Sequence, residues 1–127
     1  MAILVKKTRL YNLIRQWRNI MKSIIIDRWP IPNYIALRTL WYENSTISLI
    51  TTELSCYDEI VPFLISEGDE FALVVLSDLV EKKNFPSKFL EKVFYTGDLG
   101  CQLSVCYSEK VPESLRAECS RLKLSKH

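Results

Sequence analysis

Phe71-Ala72-Leu73-Val74-Val75-Leu76 is an unbroken apolar run, and its reading decides the fold. Six residues match the length of a strand, and none is polar enough to face water. The run therefore reads as a central strand covered on both faces. Before it, residues 66–70 form an acidic turn around Gly68. Ser55-Cys56-Tyr57-Asp58 resembles a capping box with Asp in place of Glu, opening a short helix through Ile60, Phe63 and Leu64. Pro62 is compatible with that helix only in its first turn or at a kink.

Further upstream, residues 34–42 and 46–52 read as two strands joined in a hairpin by Glu43-Asn44-Ser45. The first of these has an alternative, in which Asn33 caps a short helix. Trp29-Pro30-Ile31-Pro32-Asn33 ends whatever precedes it, because proline cannot continue a helix. What precedes it is the cleanest periodic pattern in the chain. Leu10, Leu13, Ile14, Trp17, Ile20, Met21, Ile24 and Ile25 follow helical spacing over residues 8–25. Tyr11, Arg15, Arg18 and Lys22 fall on the opposite side.

Downstream, Pro86 and Ser87 introduce a helix carrying Phe89, Leu90, Val93 and Phe94, and residues 96–100 form a loop. Residues 101–107 alternate as a strand, with Cys101, Leu103, Val105 and Tyr107 on one face. Pro112 suits the start of a last helix with Leu115, Cys119 and Leu122 inward. The expected order is αββαβαβα, with no internal repeat. The chain is expected to be a single α+β domain over residues 1–127, frayed over 125–127. About four strands in a mixed or antiparallel sheet would pack with amphipathic N- and C-terminal helices.

Apolar residues make up 48% of the 127 positions and charged residues 25%, a globular composition. No stretch reaches the roughly 20 apolar residues a membrane helix needs, and the apolar start breaks at Lys6-Lys7, short of a signal peptide. Ala2 excludes N-myristoylation, and Asn44-Ser45-Thr46, a glycosylation sequon, reads as a turn. Cys56, Cys101, Cys106 and Cys119 read as reduced, mostly buried thiols, which makes cytoplasm or nucleus the expected compartment. The net charge of +2 is unevenly spread: residues 1–28 sum to +6, residues 29–100 to −6 and residues 101–127 to +2.

Catalytic constellations are scarce. The one histidine, His127, is the last residue, which removes Ser-His-Asp and Cys-His chemistry and the HExxH helix. Gly68, Gly97 and Gly100 are the only glycines and build neither a P-loop nor GxGxxG. Cys101 and Cys106, five apart, point to opposite faces of a strand and do not share a zinc ion. Glu67, Asp69 and Glu70 lack the ligand spacing of an EF-hand, and Asp58-Glu59 do not face one another on a helix. No enzyme activity, cofactor, metal or small-molecule substrate is expected.

What remains is binding. The apolar face of the first helix contributes more than the net stability of a domain this size, so it belongs to the core rather than to a membrane surface. Its outer stripe of Arg15, Arg18 and Lys22 is left for a partner. On the first strand Tyr34, Arg38, Leu40 and Tyr42 share one face, an aromatic/Arg composition common at interface centres. Trp29, Trp41 and Phe85 read as core. The expected function is a non-enzymatic protein–protein interaction module, an adaptor, regulator or inhibitor such as a viral accessory protein or complex subunit. Its partner-binding residues would be Tyr34, Arg38, Tyr42, Arg15, Arg18 and Lys22, and its partner another protein or a second copy in a homo-oligomer. The alternative is a nucleic-acid binder using the basic N- and C-terminal helices, with Arg116, Arg121 and Lys123 added.

Overall fold

A computed structural model of the chain describes residues 23–125. The helix expected over residues 8–25 lies outside that range except for its end, and the end is not helical: Ser23–Ile26 is strand β1. The parallel partner β2, Ser48–Thr51, pairs with it in the register Ser23↔Ser48 through Ile26↔Thr51. Helix α1, Tyr34–Glu43, connects the two strands, so this part is a βαβ unit and not a hairpin. Asn33 does stand at the N-terminus of α1, in the left-handed region, but its side chain makes no cap bond. Asn44 closes the next turn by accepting from the N–H and hydroxyl of Thr46, at 3.1 and 2.6 Å.

The expected four-stranded sheet is absent from the described residues, which contain six α-helices and this one two-stranded sheet. Helix α2 is Tyr57–Glu67, α3 is Glu70–Val80, α4 is Leu90–Thr96, α5 is Leu99–Cys106 and α6 is Arg116–Ser125. Short 3-10 turns, Ser87–Phe89 and Glu113–Leu115, lead into α4 and α6. The last two helical expectations, after Pro86 and after Pro112, therefore hold, with Leu115 and Cys119 buried as expected. Helix α2 begins after Cys56 rather than at a Ser55 capping box, and Pro62 sits within it on an exposed side.

Residues 71–76 are the decisive correction. They lie inside α3, whose buried positions are Phe71, Ala72, Val75, Leu76, Leu79 and Val80. Those pairs recur every four residues, a helical period that is invisible in the six-residue run and appears only when Leu79-Val80 is included. The expected strand 101–107 is likewise helix α5, which buries Cys101, Ser104, Val105 and Cys106. In both cases an aspartate starts the helix. The Asp69 carboxylate accepts from the Ala72 N–H at 2.9 Å, and that of Asp98 from the Cys101 N–H at 3.0 Å.

These matching starts belong to an internal repeat. Helix α2 ends at Gly68, whose N–H donates to the Leu64 carbonyl at 3.0 Å; α4 ends at Gly97, whose N–H donates to the Val93 carbonyl at 2.8 Å. Each glycine is followed by the capping aspartate, and Asp98 follows Asp69 by 29 residues. After the second helix of each unit comes a five-residue turn, then Pro86 or Pro112 before the 3-10 turn, and these prolines are 26 residues apart. The difference of three is one turn of helix, since α3 has 11 residues and α5 has 8. Stacking α3 against α5 joins the two units in one continuous core.

The βαβ unit packs on this array through strand β2 and through aromatic rings. Strand β2 packs on α3, with Ile24, Ile26 and Thr51 buried. Aromatic rings make the second joint: Trp29 and Tyr34 meet Phe63 at 5.2 and 5.1 Å, while Tyr34 and Trp41 meet Phe71 at 5.5 and 5.7 Å. Phe85 is fully buried, and Trp29 and Trp41 pack partly buried against the core, as expected of all three. Among the described residues no helix is long and apolar enough to cross a membrane.

The thiol reading needs correcting. Cys106 and Cys119 form a disulfide between α5 and α6, Cys56 is an exposed free thiol, and only Cys101 is a buried one. The assignment to cytoplasm or nucleus loses the support it took from reduced cysteines.

Candidate partner-binding trough

Of the six residues proposed to bind a partner, Arg15, Arg18 and Lys22 lie outside the described residues. Tyr34, Arg38 and Tyr42 are on helix α1 and not on a strand face. Tyr34 is buried between Phe63 and Phe71. Burial first, then the nearby charges of Asp69 and Glu67, hold its phenol above the ordinary range. Its oxygen meets no partner at hydrogen-bond geometry, and Asp69 is the nearest carboxylate that bears on it. Arg38 is engaged internally: its guanidinium reaches Glu67 at 3.3 Å and Asp69 at 3.1 Å and lies 5.7 Å from the Tyr34 ring centroid. It thereby fastens α1 to the corner between α2 and α3. Tyr42 is half-exposed, its hydroxyl accepting from the Phe71 N–H at 3.4 Å.

The basic residues of the last helix are engaged too. Arg116 pairs with Glu113 at 3.0 Å, Arg121 pairs with Glu118, and the Lys123 ammonium lies 4.6 Å from the Tyr107 ring centroid. Residues 23–125 hold ten basic and fifteen acidic side chains, a net of −5.

Two adjoining clefts follow the seam between α3 and α5. One, of about 210 Å³, lies between β2, α3 and the start of α5, and is lined by Leu49, Leu73, Val74, Ser77, Asp78, Glu81, Asp98 and Gly100. The other, of about 420 Å³, lies where α3 and α5 end, and Val80, Glu81, Phe85, Ser104 and Tyr107 line it with Lys82, Lys83 and Lys110. Glu81 borders both. Between them the hydroxyls of Ser77 and Ser104 bond at 2.6 Å, Ser77 also donates to the Gly100 carbonyl at 3.3 Å, and Ser104 reaches Glu81 at 3.5 Å. The result is one trough with an acidic end, an apolar wall and a mixed end where three lysines stand with Glu81 and Glu109.

Chemistry in this trough is limited by what its polar groups already do. The Asp78 carboxylate is taken by the Thr51 hydroxyl and by the Thr51 N–H at 3.1 Å. The Lys110 ammonium donates to the carbonyls of Lys83 and Phe85 at 2.7 and 3.2 Å, capping the turn after α3. Beneath the seam, the Cys101 thiol donates to the Leu73 carbonyl at 3.3 Å. Burial, with Asp98 beside it, pushes that thiol up to about 12, so it is not a nucleophile at neutral pH. Among the described residues no group of three or more His, Cys, Asp or Glu is placed to hold a metal ion.

Compared with protein families, curated proteins and solved structures, the chain matches none. The trough therefore stands on its own geometry. The sequence conceals it, because a strand reading of residues 71–76 and 101–107 separates Leu73, Val74 and Ser104. The signal that would have found it is the repeated Gly-Asp pair, which puts α3 and α5 side by side.

Proposed function

We propose that this chain is a non-enzymatic protein-binding module on a helical-repeat frame, and that the trough along α3 and α5 is its recognition surface. The observation that carries the reading is the pairing of part-exposed apolar side chains with fixed charge. Leu49, Leu73 and Val74 stand beside Asp78, Glu81 and Asp98 on elements held rigidly by stacking. Such a surface suits a partner segment that offers Lys or Arg next to apolar side chains. Recognition by charge steers the encounter, and burial of the apolar wall supplies affinity.

The test is selection from a displayed peptide library on the intact protein and on a Val74→Arg/Glu81→Lys variant. Both positions reach solvent, so the variant keeps its fold, checked by circular dichroism. Wild type should enrich peptides combining basic and apolar residues, and the variant should bind them at least about tenfold more weakly, the scale of losing 1.4 kcal/mol. Equal binding by the two proteins, or enrichment of acidic peptides, would refute this reading.

A further inference from the structure

The disulfide stands at an informative place in the repeat. Cys106 occupies the position that Val80 holds one repeat earlier, and Cys119 the position of Val93, each 26 residues on. Val80 and Val93 are both buried, and both pairs are separated by 13 residues. A covalent bond thus stands where the earlier unit uses two apolar side chains. The neighbouring positions show what the bond replaces. Helix α4 is seated by buried Leu90 and Phe94; at the equivalent places α6 carries Arg116 and Ser120, both exposed. Besides the sulfurs, α6 is held by buried Leu115 just before it, by partly buried Leu122 and by Lys123 over the Tyr107 ring.

We infer that the Cys106–Cys119 disulfide is a redox latch, which keeps α6 docked while oxidised and frees it when reduced, leaving the preceding repeat folded. The reaction is thiol–disulfide exchange with a dithiol. One thiolate attacks a cysteine sulfur, the S–S bond breaks to give a mixed disulfide, and the second thiol displaces the remaining cysteine. The dithiol is oxidised to its own disulfide, and its two electrons and two protons end on the Cys106 and Cys119 thiols. Both sulfurs are almost fully buried, at 3% and 4% residue exposure. Attack therefore waits on transient opening of α6, which makes the latch slow to trip until that helix loosens.

Hydrogen exchange read by mass spectrometry on the full chain, with and without dithiothreitol, tests this. Amides of residues 116–125 should exchange faster on reduction by on the order of 100-fold, the size expected for opening a loop of this length. Amides of α2 to α5 should change by less than about threefold. Unchanged protection in α6 after verified reduction overturns the latch, and so does simultaneous loss of protection everywhere, which would make the bond a global staple. A Cys106→Val/Cys119→Val variant has no bond to exchange, so its α6 protection should be the same with and without dithiothreitol. A dithiothreitol-dependent loss of α6 protection in that variant would place the effect of reduction elsewhere and would also overturn the inference.

Discussion

Asp78 on α3 and Thr51 on β2 bind each other twice, through the Thr51 N–H at 3.1 Å and through its hydroxyl. Thr51 is buried, so these are the bonds that satisfy a polar residue at the joint between the βαβ unit and the helical array. Asp78→Ala leaves two buried donors without a partner. It should cost about 2–4 kcal/mol in urea unfolding, with Thr51→Val costing less because only the hydroxyl is lost.

The two junction glycines are required for different reasons. At Gly97 an added Cβ would lie 2.4 Å from the Cys101 Cβ and 2.7 Å from the Val93 carbonyl, so helices α4 and α5 would have to part. Gly68 has room, but its φ is +61°. Gly97→Ala should therefore destabilise by about 2–3 kcal/mol and Gly68→Ala by about 1–2 kcal/mol. Thermal denaturation that ranked them the other way would contradict the close approach at Gly97.

Arg38 and Tyr34 should respond as structural residues. Arg38 and its two carboxylates are each about a third exposed, so solvent screens the pairs, and Arg38→Gln should cost only about 1 kcal/mol. Tyr34→Phe removes a buried hydroxyl that has no partner, and should be neutral or stabilising by up to about 1 kcal/mol. A loss above about 2 kcal/mol for Tyr34→Phe would mean that the hydroxyl is bonded after all.

Cysteine chemistry gives a pH prediction. The Cys101 thiol is raised from an ordinary 9.0 to about 12 in the folded chain, by burial and then by Asp98. Above pH 9 the unfolded chain loses this proton and the folded chain keeps it, so stability falls with pH between about 9 and 12 and is full below 9. Tyr34 and Tyr57, both raised from 10.0 chiefly by burial, add to the fall at higher pH. Cys101→Ala should shrink the loss measured between pH 8 and pH 10. Iodoacetamide at pH 8 should label the exposed Cys56 and spare Cys101 until the chain is unfolded.

Much of the local structure was legible, and the errors share one cause. Tyr34, Arg38 and Tyr42 are spaced by four, which fits both a strand period of two and a helical turn, so spacing alone could not choose. The run at residues 71–76 is too short to contain its own helical period, because Ser77-Asp78 separates it from Leu79-Val80. Helices after Pro86 and Pro112 were readable because proline marks their first turn. The repeat was in view as two Gly-Asp pairs and two prolines, but α3 and α5 differ by a turn, so no single period aligns them. The disulfide was not readable: a thirteen-residue spacing becomes a bond only once α5 and α6 are known to be neighbours. The trough depends on the same neighbourhood, which strands in place of α3 and α5 conceal.

The most direct test of the account is the backbone Cα chemical shifts of residues 70–80 and 99–106, with cross-peaks between them. Helical downfield shifts in both segments, with side-chain cross-peaks joining α3 to α5, are the predicted result. Upfield, strand-like shifts over residues 71–76 or 101–107 would contradict the stacked repeat and the trough built on it.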